Sequence, residues 1–107
     1  MKFTVYQMLS DQRKALRDTM PEEYFRMTFD GKVTNVDFLA HYTAVAKIDA
    51  ASLDQVFEIG NIGPESLIER LDRMYSVSVG DVIVDEAGTK FVVASFGFDE
   101  IVEREAA

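Results

Sequence analysis

The chain has no cysteine, one histidine and only two prolines in 107 residues. Without cysteine there can be no disulfide, no thiolate zinc site, no iron–sulfur cluster and no thiol nucleophile. With one imidazole, any histidine chemistry must run through His41, with its mates supplied from elsewhere in the chain. No apolar run approaches the ~18 residues needed to cross a bilayer. The opening "MKFTVYQML" is broken by polar residues and lacks the apolar stretch and small-residue cleavage site of a signal peptide. These absences predict a soluble, cytoplasmic protein.

Basic residues are also scarce. Eleven Lys and Arg stand against 19 Asp and Glu, for a net charge of −8. Such a surface repels a phosphate backbone or an anionic lipid face on average. The carboxylates are spread along the chain and interleaved with cations, a pattern that keeps a small domain soluble. A nucleic-acid mimic would need them gathered in rows, which only folding could arrange.

What is present suits one modest core. Apolar residues make up 48% of the chain, with no linker, repeat or low-complexity tract, so residues 1–107 read as a single domain. "KFTVYQML" carries β-formers and predicts a strand ended by Ser10. "SDQRKALRDTM" predicts an exposed, marginal helix capped by Ser10, with only Ala15, Leu16 and Met20 apolar. "PEEYFRMTF" is ambiguous: Pro21 suits a helix start, and Tyr24, Phe25 and Phe29 could form a stripe. "HYTAVAKIDA" alternates as a half-buried strand does.

"SLDQVFEIGN" predicts a helix over 53–59. Ser52 and Gln55 fit a capping box, and Gly60 or Asn61 can end it in a left-handed conformation. "GPESLIERLDRM" predicts a second helix over 65–74. Pro64 would open it, Leu67, Ile68, Leu71 and Met74 would line one face, and a Glu69–Arg73 pair would add ~0.2–0.5 kcal/mol. From 76 to 101, "SVSVGDVIVDEAGTKFVVASFGFDEI" predicts a β-meander. Gly88 would supply the positive φ of a hairpin loop, and a break at Gly97 would decide whether Phe96 and Phe98 share a face. The expected fold is α+β: an antiparallel sheet of ~four to six strands with two or three helices packed on one face.

Catalytic groups are few. His41 on a strand is an ordinary packing position unless an acid converges on it. The adjacent acids Glu22-Glu23, Asp85-Glu86 and Asp99-Glu100 are neighbours in sequence, whereas metal or glycosidase chemistry needs convergence in space. Asp85-Glu86 suits a hairpin turn, and Asp81 suits a hydrogen bond to its own turn backbone. "GNIG" and "SVGD" lack the further glycine or lysine of a phosphate-cradling loop. Arg13, Lys14 and Arg17 are flanked by Asp11 and Asp18, so they predict a solvated helix face. Phe91, Phe96 and Phe98 could stack bases, but they sit among Asp85, Glu86, Asp99 and Glu100 rather than in a basic groove. Core packing is the expectation for Phe91 and for one of Phe96 and Phe98. No catalytic, cofactor-binding or metal residue is assigned.

The 76–101 stretch resembles the signature end of the YodL-like family. Ser76, Val77, Ser78, Val79 and Asp81 match the family's first step, and Ser95, Phe96, Gly97 and Phe98 match its last. "TVYQML", "HYTAVAKIDAASLDQVFEIGN" and "PESLIERL" fall in the family's order, so the resemblance spans nearly the whole chain. The family's histidine before this segment is Tyr75 here, and its second Ser-Asp step is Gly80-Asp81. The resemblance implies an accessory role in a phage, plasmid or other mobile element. It implies no reaction and no catalytic residues.

The function expected is therefore a non-enzymatic domain that binds a protein partner, without nucleic acid, membrane or cofactor. The alternatives are an acidic nucleic-acid mimic that inhibits a host defence nuclease, and a hydrolase or transferase centred on His41.

Overall fold

In the computed structural model, which describes residues 1–102, the first strand is the centre of the molecule. This strand, β1 (Lys2–Gln7), sends Phe3 and Val5 to one face and Tyr6 to the other. It pairs antiparallel with β2 (Thr43–Asp49) on one side and with β4 (Val82–Val84) on the other. β3 (Ile68–Arg70) adds to the free side of β2, and β5 (Lys90–Val93) and β6 (Phe98–Ile101) extend the sheet beyond β4. The order is β3-β2-β1-β4-β5-β6, and every neighbouring pair is antiparallel. The fold is α+β.

Alternation along these strands divides the core in two. Phe3, Val5, Ile48, Ile83 and Val93 face one way and meet Val56 and Ile59 of α4 (Leu53–Ile62) together with Val77. Val82, Val92 and Ile101 face the other way and meet Leu16, Met27 and Phe38. Those three residues belong to α1 (Ser10–Thr19), α2 (Pro21–Thr28) and α3 (Asn35–His41), so three helices cover one face and α4 the other. Each fully buried Val or Ile stabilises by ~1.5–3 kcal/mol relative to exposure. Val45 joins Ile48 on the α4 face because it is the extra residue of a β-bulge: Val5 pairs Ala46, yet Tyr6 pairs Ala44.

Local chemistry explains most boundaries. α1 begins one residue earlier than expected, with Leu9 as its cap; the Gln12 side chain accepts the Leu9 N–H at 2.8 Å. α3 has its own reciprocal cap. Thr34 accepts from the Asp37 N–H at 3.1 Å, and Asp37 accepts from the Thr34 N–H at 2.9 Å. In the β4–β5 hairpin Gly88 takes φ 87°, and one oxygen of Asp85 accepts the N–H groups of Ala87 and Thr89. Asp85-Glu86 thus decorates a turn, as expected, and Asp85 also builds it.

Several expectations are corrected. Residues 65–74 do not form a helix: a 3₁₀ turn covers Glu65–Leu67, and Ile68–Arg70 pairs with β2. The open edge of β2 and the cluster below it hold Ile68 more strongly than helix propensity does, while Leu67 and Leu71 stay exposed. Arg70 bonds Glu65 at 2.6 Å in place of the expected Glu69–Arg73 pair. α4 runs on to Ile62 and ends at Gly63, with φ 96°. In α2 Met27 is buried and Tyr24 packs against the same cluster, whereas Phe25 and Phe29 stack on each other at 5.1 Å on the exposed side, so the three aromatics do not form one stripe.

Candidate functional site

The 71–81 segment crosses the α4 face without regular structure; backbone bonds tie its ends, Leu71 and Asp72 to Val45 and Gly80 and Asp81 to Val93, and its middle needs other anchors. Two buried polar residues supply them. Gln7, with 0% of its surface exposed, accepts the Tyr75 N–H at 3.0 Å and donates to the Tyr75 carbonyl at 3.0 Å and to Asp81 at 2.9 Å. Asp81, 2% exposed, also accepts the Ser78 N–H at 2.9 Å. The expected bond between Asp81 and its own turn backbone is therefore present, with Gln7 as a second donor. Arg13 stands 3.9 Å from the other carboxylate oxygen, donates to the Met8 carbonyl at 2.9 Å and lies over the Tyr75 ring.

Burial pushes the Asp81 carboxyl up to about 6, against the opposing pull of the Ser78 and Gln7 hydrogen bonds and of Arg13. Burial also pushes the Tyr42 phenol well above its ordinary value, with the nearby Asp81 adding to it. Its hydroxyl donates to the Gly80 carbonyl at 2.5 Å. Gly80 sits at φ 93°, and a Cβ there would come 2.4 Å from the Met27 carbonyl oxygen, so only glycine lets the segment pass this close to α2.

The clasp fixes one wall of a groove of about 410 Å³. Val77, Ser78 and Val79 form that wall. Asp54 and Phe57 of α4 form a second, and Val93, Gly97 and Phe98 of the β5–β6 hairpin contribute a third. Gly60 brings α4 against the segment: a Cβ there would lie 2.4 Å from Val77 Cγ2. Asn61 adds a hydrogen bond to the Val77 carbonyl at 3.1 Å. Gly97, at φ 71°, turns the chain so that Phe98 packs toward the core and Phe96 projects from the tip with 94% of its surface exposed. Phe57 keeps 39% exposed at the groove's edge.

Val79 and Val93 therefore line an open hollow, while Ile83 and Val93 also pack in the core. Phe91 is half-buried.

The other sequence candidates do not converge. His41 ends α3 instead of lying on the expected strand, which begins at Thr43, and among the described residues no hydrogen bond or ion pair reaches its side chain. Lys14 and Arg17 pair with Asp18 at 3.6 and 3.8 Å, and Arg13 turns inward to Asp81. Asp99 and Glu100 pair with Val92 and Phe91 and so point to opposite sheet faces. Asp37 is half-buried; burial raises its pKa, but Arg26 at 2.8 Å and the Thr34 donors outweigh burial and hold it below the usual carboxylate range. Among the described residues no three His, Asp or Glu side chains gather as a metal site, and no helix is long and apolar enough to cross a membrane.

Gln7 was missed by sequence reasoning. A polar residue in line with Phe3 and Val5 on the buried face of a strand was the available signal. Compared with protein-family models, with curated proteins and with solved structures, the chain finds no match.

Proposed function

We propose that this chain is a non-enzymatic domain that binds a protein partner, and that it serves a phage, plasmid or other mobile element. The observation that carries the binding reading is Phe96. A phenylalanine with 94% of its surface in water, beside an apolar groove edged by a second exposed phenylalanine, is a hydrophobic surface without an internal occupant. Aromatic residues in such positions are the usual anchors of protein interfaces. The mobile-element setting is supported by the resemblance of 76–101 to the YodL-like family. Asp81, the strongly perturbed carboxyl, is committed to Gln7 and Ser78, which supports a structural rather than a catalytic role.

The test replaces Phe96 with a photocrosslinking phenylalanine analogue in the native host. We expect a discrete protein adduct from position 96 and none from the same analogue at Lys47, on the exposed side of β2. Adducts with nucleic acid alone, or equal protein adducts at both positions, overturn the reading. With the analogue moved to position 57, Phe96→Ser is expected to abolish the adduct while changing folding stability by less than about 0.5 kcal/mol, because an exposed tip residue touches little of the fold.

A further inference from the structure

The charges around the groove say what kind of partner fits it. The charged residue that lines it is Asp54. Glu58 lies one helical turn further along the exposed side of α4, and Glu100 shares the sheet face of Phe98, two residues on. Among the described residues no lysine or arginine lines the groove. Its polar side chains beyond Asp54 are Ser78 and Ser95, while Val77 and Val93 give it buried apolar lining.

Resting on the interaction reading above, we propose that the groove takes a partner segment with a bulky apolar side chain flanked by lysine or arginine. The apolar side chain would enter between Phe57 and Phe98, with Phe96 closing over it, and the cations would meet Asp54, Glu58 and Glu100. The same charges disfavour the other occupants. A second copy would set these carboxylates against another chain of net charge −8, and a phosphate backbone or anionic membrane would be repelled.

The test is an NMR titration of the isotopically labelled full chain with three synthetic amphipathic peptides. The first has leucine on one face and lysine on the other. In the second the lysines become glutamate, and in the third the leucines become alanine. We expect the Leu/Lys peptide to shift the amides of Phe57, Val79, Gly97 and Phe98 and to saturate. The Leu/Glu and Ala/Lys peptides should bind at least about tenfold more weakly, since losing either apolar anchor or charge complementarity is each of that order. Phe96→Ala should weaken the Leu/Lys peptide by about thirty-fold, as a hot-spot truncation does. Asp54→Lys should weaken it as well, while narrowing its advantage over the Leu/Glu peptide. Both positions are exposed, so neither variant puts folding at stake.

Equal binding of the Leu/Glu peptide at the groove overturns the basic partner and leaves the interaction domain standing. Equal binding of the Ala/Lys peptide shows attraction by charge alone and also overturns the proposal. So does a Leu/Lys peptide that leaves the groove amides unmoved, in which case the crosslink at position 96 decides the broader reading by itself. Groove amides that shift with protein concentration before any peptide is added assign the site to a second copy and overturn it too.

Discussion

Asp81→Asn should make this protein more stable at neutral pH. The carboxyl is 2% exposed and titrates at about 6 rather than 3.8, chiefly because burial disfavours its charge. Its folded pKa lies above its unfolded one. The stability it contributes is therefore full below about pH 3.8 and is lost as pH rises through about 6. The displacement corresponds to roughly 3 kcal/mol at pH 7. Asparagine can keep the geometry: its carbonyl can accept from Gln7 and Ser78 as the bonded oxygen does now, leaving its amide toward Arg13. Losing the contact with Arg13 offsets part of the gain, so about 1–3 kcal/mol is expected at pH 7.5. Urea unfolding followed by circular dichroism at half-unit steps from pH 4.5 to 7.5 reads this directly. The variant's midpoint should rise by about 0.5–2 M over the wild type at pH 7.5. The two curves should converge toward pH 4.5, because the exposed carboxylates common to both proteins cancel in the difference. A variant that loses more than about 1 kcal/mol at pH 7.5 would refute the reasoning. It would mean that the bonds from Gln7 and Ser78, with Arg13, outweigh the burial of the charge.

Two further outcomes follow from the same region. Gly60→Ala should destabilise by about 1–2 kcal/mol in thermal melts despite a gain of ~1 kcal/mol in helix propensity, because its methyl would overlap Val77. Adding Val77→Ala should recover part of that loss, a non-additivity readable in a double-mutant cycle. Gln7→Leu should cost about 1–3 kcal/mol by leaving the Tyr75 N–H and the Asp81 carboxylate short of partners, and should move the Asp81 titration upward in carbon-13 NMR.

Much of the fold is written locally. The opening strand, the alternating 43–49 strand, the α4 start and the two hairpins each carry their own periodicity, cap or glycine, so short-range chemistry decides them. Ser52 still accepts the Gln55 N–H at 3.2 Å, as its spacing implies, though Gln55 reaches Ala51 rather than closing the box. α3 was also legible, in Thr34 and Asp37, but it is only seven residues long and leaves Val36 and Leu39 exposed, so no single apolar face marks it.

Tertiary structure decided the rest, because the deciding partners are far apart in the chain. Leu67, Ile68, Leu71 and Met74 have helical spacing, yet the free edge of β2 captured Ile68 as strand, since ladder bonds and burial together exceed a propensity of a few tenths of a kcal/mol per residue. Gly60 looks like a helix end and is instead a contact point for Val77. The Gln7–Asp81 clasp joins residues 74 positions apart, and no local pattern foretells that pairing. Composition alone set the acidic surface and the absence of thiol chemistry. Which apolar side chains were left in water, Phe57 and Phe96 among them, was settled only when sheet, helix and clasped segment closed around the core.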